Sequence, residues 1–325
     1  MGYTLCRVRP RPDHVVAFVD ARQKDVSPSA LATSQAPLEL LLARSPPLQC
    51  PAVIRVSGML IFVTVLWLLP ATAAADGIML VPAGAFWMGR DGGPANEAPL
   101  HRVFVRDFWI ERHKVTNAEF AEFLNATGLR PPGSEHRFDD DDPDARIHLR
   151  DGRWTPDAGF EHHPAVEVSW FGARDFCRWR GRRLPTEAEW EKAARGDDKR
   201  PYPWGSTSPS AELAVFGRPY NATDRGDARP RGKSPYGVED LLGNVREWTA
   251  SLLRPYPYRA DDGREETEPF TGAGQIVVRG ASHDDPATML SVTLRRSYDR
   301  RGASAGNHFL GFRCATSEDL GEIAR

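Results

Sequence analysis

The side chains with the widest chemical reach lie towards the C-terminal end. There Ser282-His283-Asp284-Asp285 follows Val278-Arg279-Gly280-Ala281, and His308 stands shortly before Gly311-Phe312-Arg313-Cys314. A hydroxyl, an imidazole and two carboxylates in four consecutive positions are the groups of acid–base work and metal ligation, so Ser282, His283 and Asp285 are the candidate catalytic residues. A histidine with a carboxylate is half of a site for a hard or borderline metal, and a 2-His-1-carboxylate set suits iron. His283, Asp284 and His308 are therefore the candidate ligands of a redox metal. The same residues also fit a hydrogen-bonded turn ahead of Pro286 with His308 in solvent, which needs no metal. A second oxygen-rich stretch runs from Asp240 to Glu247 around a glycine-containing turn whose carbonyls can point inward, an environment suited to Ca2+. A helix cap and a surface ion pair would use the same residues. The acidic run Asp139 to Asp142 reads as a solvated loop, and His162 and His163, as adjacent residues, diverge rather than share an ion. There is no glycine-rich phosphate loop, zincin motif or serine-hydrolase motif.

Several elements must carry these residues. Ile78 to Gly89 reads as two short strands around a Pro82-Ala83-Gly84 turn, and His101 to Ile110 alternates as one half-buried strand. Thr116 and Glu119 form a capping box that opens a helix burying Phe120, Phe123 and Leu124, with Gly128 as its stop. Residues 130 to 162 read as a polar loop. Order returns at Ala165-Val166-Glu167-Val168, and Ser169 caps a helix carrying Trp170, Phe176 and Cys177. A second capping box, Thr186 with Glu189, opens a helix that ends at Gly196. These caps explain Glu187 and Glu189 structurally. Tyr202-Pro203-Trp204-Gly205 is a tight aromatic turn, and Val278 onwards reads as strand, turn, loop and closing strand.

The chain has 325 residues, 41% hydrophobic and 26% charged, with nine Trp and 27 Pro, enough for a sizeable core rich in turns and aromatics. A net charge of −2 gives no footprint for nucleic acid. Residues 1–58 have no sustained period and stand apart as an extension outside the native fold, with the true translation start expected near Met59. Residues 59–75 read as a secretory signal with small-residue cleavage sites at Ala71-Thr72-Ala73 and Ala73-Ala74-Ala75, or otherwise as a membrane anchor, since Val56 to Ala75 carries no charge. Either way residues 76–325 are expected outside the cytosol, periplasmic, secreted or anchored facing outward. Contact with a membrane arises only if the segment stays uncleaved. Two cysteines, Cys177 and Cys314, follow the segment, which in an oxidising compartment suggests a single long-range disulfide, with two buried thiols as the alternative.

Six fragments occur in the order of the formylglycine-generating enzyme, or sulfatase-modifying factor, family: Val81 to Gly89, Arg183-Leu184-Pro185-Thr186-Glu187-Ala188-Glu189-Trp190-Glu191, Tyr202 to Gly205, Gly243-Asn244-Val245-Arg246-Glu247-Trp248, Arg279 to Ser282, and Gly311 to Arg313. The chain resembles that family from residue 77 to about 317. The resemblance implies an α+β fold: one compact, C-type-lectin-like domain with little regular secondary structure and long loops. It places Cys177 and Cys314 on a family disulfide. Asp240, Gly243, Val245 and Glu247 fall on a family calcium site, two through side chains and two through carbonyls; a second such site, near Ala214 and Val215, is poorly matched. It gives Ser282 the position of a residue that orients substrate.

Family members that make formylglycine bind copper through cysteines three and eight residues after that serine, and here those positions are Asp285 and Leu290. A carboxylate and a leucine cannot hold soft Cu(I), so copper is not expected. The wider family includes cysteine-free oxidases and non-haem iron synthases, the latter drawing histidines from a further helical domain for which this chain leaves no room. The expectation is an exported, divergent oxidoreductase-type enzyme acting on a peptide, protein or peptide-derived small molecule, with structural Ca2+ and a redox metal such as iron as candidate cofactors. The alternative is a non-catalytic ligand- or protein-binding module on the same fold.

Overall fold

The computed structural model describes residues 77–130, 135–266, 274–299 and 308–318. The extension 1–58 and the apolar segment 59–75 lie outside these residues; among the described ones no helix is long and apolar enough to cross a membrane. Strands β1 (Ile78–Val81) and β2 (Gly84–Met88) flank the Pro82-Ala83 turn, as the sequence predicts. The alternating stretch from His101, expected as one strand, is two: β3 (His101–Val105) and β4 (Phe108–Glu111), broken at Arg106-Asp107. The reason is pairing. β3 pairs antiparallel with β2, whereas β4 pairs antiparallel with β1 and with β11 (Ala315–Thr316), so the partners separate at the Pro82-Ala83 turn and the two strands must separate with them.

Three helices follow their caps. In α1 (Asn117–Thr127) the Thr116 hydroxyl accepts from the Glu119 amide and the Glu119 carboxylate accepts from the Thr116 amide. The same reciprocal box opens α3 (Glu187–Arg195), and Ser169 caps α2 (Trp170–Trp179). Each such cap is worth about 1 kcal/mol. The expected loop 130–162 contains a hairpin, β5 (Ile147–Arg150) and β6 (Arg153–Pro156), whose two-residue turn puts Asp151 and Gly152 at φ 50° and 76°. An Asp-Gly pair is the composition such a turn favours, because both residues need φ > 0.

The remaining strands, β7 (Arg246–Leu252), β8 (Gln275–Arg279), β9 (Arg295–Asp299) and β10 (Leu310–Gly311), form one sheet in the order β10-β7-β8-β9. Its register sets Arg279 against both Glu247 and Arg295, and Leu310 against Arg246. The start of β7, the end of β8, the start of β9 and β10 therefore meet at one end of the sheet, and the segment from Gly280 to Asp285 leaves from that corner. An aromatic core beneath α1 and α2 contains Phe120, Phe123, Phe138, Trp170, Phe176, Trp248 and Phe312. Burying each is worth about 1.5–3 kcal/mol. The disulfide Cys177–Cys314 crosses this core with a Cα–Cα distance of 5.5 Å and fastens α2 to the segment that enters β11. Glu187 is fully buried yet satisfied, accepting from Tyr256 and from Arg279 and Arg295, while Glu189 is held by Arg183 as well as by its cap.

Candidate functional site

The turn after β8 is built around Asp285. Its carboxylate accepts from the Ser282 amide at 2.9 Å, from Arg246 Nη2 at 3.0 and 2.9 Å, and from Arg296 Nη2 at 3.2 Å. Burial opposes ionisation of Asp285, but the Ser282 amide and Arg246 outweigh it and hold the carboxyl below its usual range. The Ser282 hydroxyl lies 2.5 Å from Asp284 Oδ1 and 3.0 Å from Asp285 Oδ2; with one proton it donates to one of them at a time. Arg246 also stacks on Phe309, 4.5 Å from the ring centroid, and the partly exposed side chains of Arg296, Tyr298 and Phe309 frame the outer side of this ion pair.

The trio Ser282, His283 and Asp285 is thus a structural unit in two of its members only. His283 is fully buried, and its Nδ1 contacts the Asn244 carbonyl at 2.8 Å. It makes no hydrogen bond to Ser282 among the described residues, so no nucleophile–base pair forms. Asp285 is already neutralised by two arginines, and Leu290 is 3% exposed in an apolar core with Trp190, Leu241, Leu242 and Ala281, so these two positions do not fit copper. A cleft of about 370 Å³ lined by Glu111, His113, Lys114, Arg180 and Arg182 includes no residue of this turn.

Among the groups expected to hold calcium lies the side chain of a lysine. Asp240 and Asn244 adopt φ 56° and 63°, in the left-handed region. The fully buried Lys114 ammonium lies within hydrogen-bond reach of the Asp240 carbonyl, 3.0 Å from Asp240 Oδ2, 3.5 Å from the Gly243 carbonyl and 3.6 Å from Glu247 Oε1. Arg313 completes the set, donating from Nε to Glu247 Oε2 at 2.7 Å and from Nη2 to Oε1 at 3.0 Å. The side chains of Asp240 and Glu247 thus face two cations, Lys114 and Arg313, and the Lys114 ammonium stands among the groups Asp240, Gly243, Val245 and Glu247 expected to hold Ca2+. Lys114 immediately precedes the α1 capping segment, and nothing local in the sequence marks it.

His308, placed in solvent by the metal-free reading, is instead 8% exposed, its ring 5.9 Å from that of His283 and 4.0 Å from that of Tyr220. The candidate ligand Asp284 does not join them; it is surface-exposed and engaged by Ser282. Two other carboxylates do. Asp144, Glu167 and His308 are all buried, and one ligand atom from each lies within 4.8 Å of the others. Asp139 and Asp142, expected in a solvated loop, converge on Glu167 to the same tolerance. Burial lowers the pKa of His308, against the opposing pull of Asp144, and favours neutral imidazole.

The chain has the architecture of a sulfatase-modifying factor. It belongs to the family described as the sulfatase-modifying factor enzyme 1-like domain, which matches residues 68–318. It is 38% identical to hercynine oxygenase of Mycolicibacterium smegmatis over 58% of this chain, a match that spans half the length of that relative. It is 35% identical to the formylglycine-generating enzyme of Streptomyces coelicolor over 75% of this chain and 90% of that one. Among solved structures, PvdO from Pseudomonas aeruginosa superposes with a TM-score of 0.57 at 27% identity, covering 74% of this chain and 93% of PvdO.

Proposed function

We propose that this protein is an exported, cysteine-independent oxidoreductase that acts on a peptide or peptide-derived substrate at the face beside the Ser282 turn, with dioxygen as the oxidant. The observation that carries this reading is the Asp285–Arg246 pair. At the position where a formylglycine-forming relative would hold a thiolate, a buried carboxylate holds the buried Arg246 and the partly exposed Arg296 in a fixed corner with the partly exposed Tyr298 and Phe309. Such a corner offers a guanidinium to a substrate carboxylate or carbonyl and aromatic faces to its apolar part. Its rigidity suits orientation of a bound chain rather than proton transfer, because Asp285 is held ionised. The reaction class is supported by relatives named hercynine oxygenase and formylglycine-generating enzyme, which act on small-molecule or peptide substrates. Export is supported by the Cys177–Cys314 disulfide, a bond that persists in oxidising compartments.

The test is dioxygen uptake by the purified, metal-supplemented protein in the presence of a peptide and amino-acid-betaine panel, with products read by mass shift. A substrate-dependent uptake that survives a Cu(I) chelator and falls on Arg246→Met supports the reading. Binding of panel members with no uptake under any metal supplement overturns it in favour of a binding module.

A further inference from the structure

Three side chains from distant parts of the chain, Asp144, Glu167 and His308, meet beside the ring of His283, and their arrangement resembles a ligand set rather than a core. Glu167 sits between Val166 and Val168 in a buried segment, where alternation alone would carry it elsewhere; instead its φ is 58°. A left-handed conformation costs a non-glycine residue about 1–2 kcal/mol and persists where the surroundings impose it, commonly at functional sites. Asp144 reaches the same place from the acidic loop. Its Oδ1 accepts from Asn221 at 3.0 Å and its Oδ2 from the Tyr220 hydroxyl, while among the described residues its one ion-pair partner is His308, Nδ1 to Oδ2 at 3.7 Å. Two buried carboxylates this close are stabilised by a cation or by a shared proton between them.

The two imidazoles supply the observation that is independent of the acidic cluster. His283 and His308 are buried, and the Nε2 atom of each has no hydrogen-bond partner. For His283 the tautomer follows from its neighbour. A carbonyl can only accept, so the proton sits on Nδ1 facing Asn244, and Nε2 carries a buried lone pair with nothing to accept. A histidine that donates one ring nitrogen to a backbone carbonyl and keeps the other free is arranged as metal-binding histidines are, the carbonyl fixing ring and tautomer. Tyr220 and Asn221 hold the Asp144 carboxylate in the same outer role. For Asp144, Glu167 and His308 the ligand atoms lie within 4.8 Å of one another, which matches a common ion at about 2.1–2.4 Å from each after small adjustments; His283, its ring 5.9 Å from that of His308, stands next to this trio and would join it by a side-chain movement.

We propose that Asp144, Glu167, His308 and His283 bind one divalent first-row transition-metal ion. Two carboxylate oxygens and two imidazole nitrogens, with no thiolate, select Fe(II), Mn(II) or Zn(II) rather than Cu(I) or Ca2+. The site stands on its own geometry and rests on the proposed oxidoreductase function only for its catalytic meaning.

The experiment is titration of the chelator-stripped full chain with Mn2+, followed by loss of the free-ion electron paramagnetic resonance signal, and with Co2+, followed by its visible absorption. One equivalent is expected to bind, with affinity reduced at least tenfold in His308→Gln and Asp144→Asn and in His283→Gln, while Ser282→Ala binds as the parent does. Thermal melting without metal identifies any variant that has lost its fold, and the near-isosteric Asp144→Asn provides the reading if a histidine variant has. Absence of binding overturns the proposal. So does binding that is unchanged in His308→Gln and Asp144→Asn but lost in Asp142→Asn, which places the ion on the acidic loop alone. Binding that the histidine variants abolish, in a protein without turnover, upholds the site and removes the oxidoreductase function.

Discussion

Replacing Lys114 by alanine asks whether an ammonium has replaced a metal in the cage between Asp240 and Glu247. In the native chain the fully buried ammonium is shared among Asp240, the Gly243 carbonyl and Glu247. Its removal leaves Glu247 paired with Arg313, whereas the Asp240 carboxylate keeps, among the described residues, a hydrogen bond from Asn244 Nδ2 at 2.8 Å. Stranding one partner of a buried pair costs about 3–5 kcal/mol. For a domain of this size about 1 kcal/mol moves the melting temperature by roughly 2–4 °C, so Lys114→Ala should melt about 6–20 °C lower. The same substitution vacates a pocket lined by two carboxylates and inward carbonyls, which now suits Ca2+. At one hundred times its dissociation constant the ion would restore about 2.7 kcal/mol. The assay is thermal melting in millimolar CaCl2 and in EDTA. The native protein should melt identically in both, and Lys114→Ala should be destabilised and respond to calcium. A native protein whose melting temperature rises with calcium would refute the reasoning. So would a Lys114→Ala variant as stable as the parent.

Two further outcomes follow from the packing. Cys177→Ser with Cys314→Ser opens a loop closed across a separation of 137 residues, for which chain entropy gives about 5 kcal/mol. Urea denaturation should show that loss as an upper bound, with metal stoichiometry unchanged; a loss of metal with unaltered stability would contradict the structural assignment. Glu265 is pushed up to about 7 from 4.5, chiefly by burial, against hydrogen bonds from Tyr258 and Ser251. Between those values the folded state keeps a proton that the unfolded state has released, so stability falls as pH rises through this window, by about 3 kcal/mol in all. The difference in unfolding free energy between Glu265→Gln and the parent should show this slope, and a flat difference from pH 4.5 to 7 would exclude it.

What the sequence discloses here is local. The Thr116–Glu119 and Thr186–Glu189 boxes and the Ser169 cap are readable because the partners lie three residues apart, and the family fragments fix the scaffold around them. The Asp151-Gly152 hairpin was equally local and was hidden by the polarity of its surroundings. The break between β3 and β4 was not local: it depends on which strand pairs with which, and the alternation of residues 101–110 is the same for one strand or two. The candidate site divides in the same way. Ser282 and Asp285 meet within one turn, whereas Lys114 reaches Asp240 across 126 residues, and His308 meets Asp144 and Glu167 only through the fold. His283 was visible as a candidate, but the partner that fixes its ring, the Asn244 carbonyl, lies 39 residues away in the sequence.

The central claim is chemistry without thiols, and the most direct measurement is substrate-dependent dioxygen uptake by a chain whose four cysteines, Cys6, Cys50, Cys177 and Cys314, are all serine. The assay is run at low temperature, where circular dichroism shows the domain still folded. Uptake per folded molecule equal to that of the parent is the expected result. A folded variant with no uptake, beside an active parent, would contradict the account.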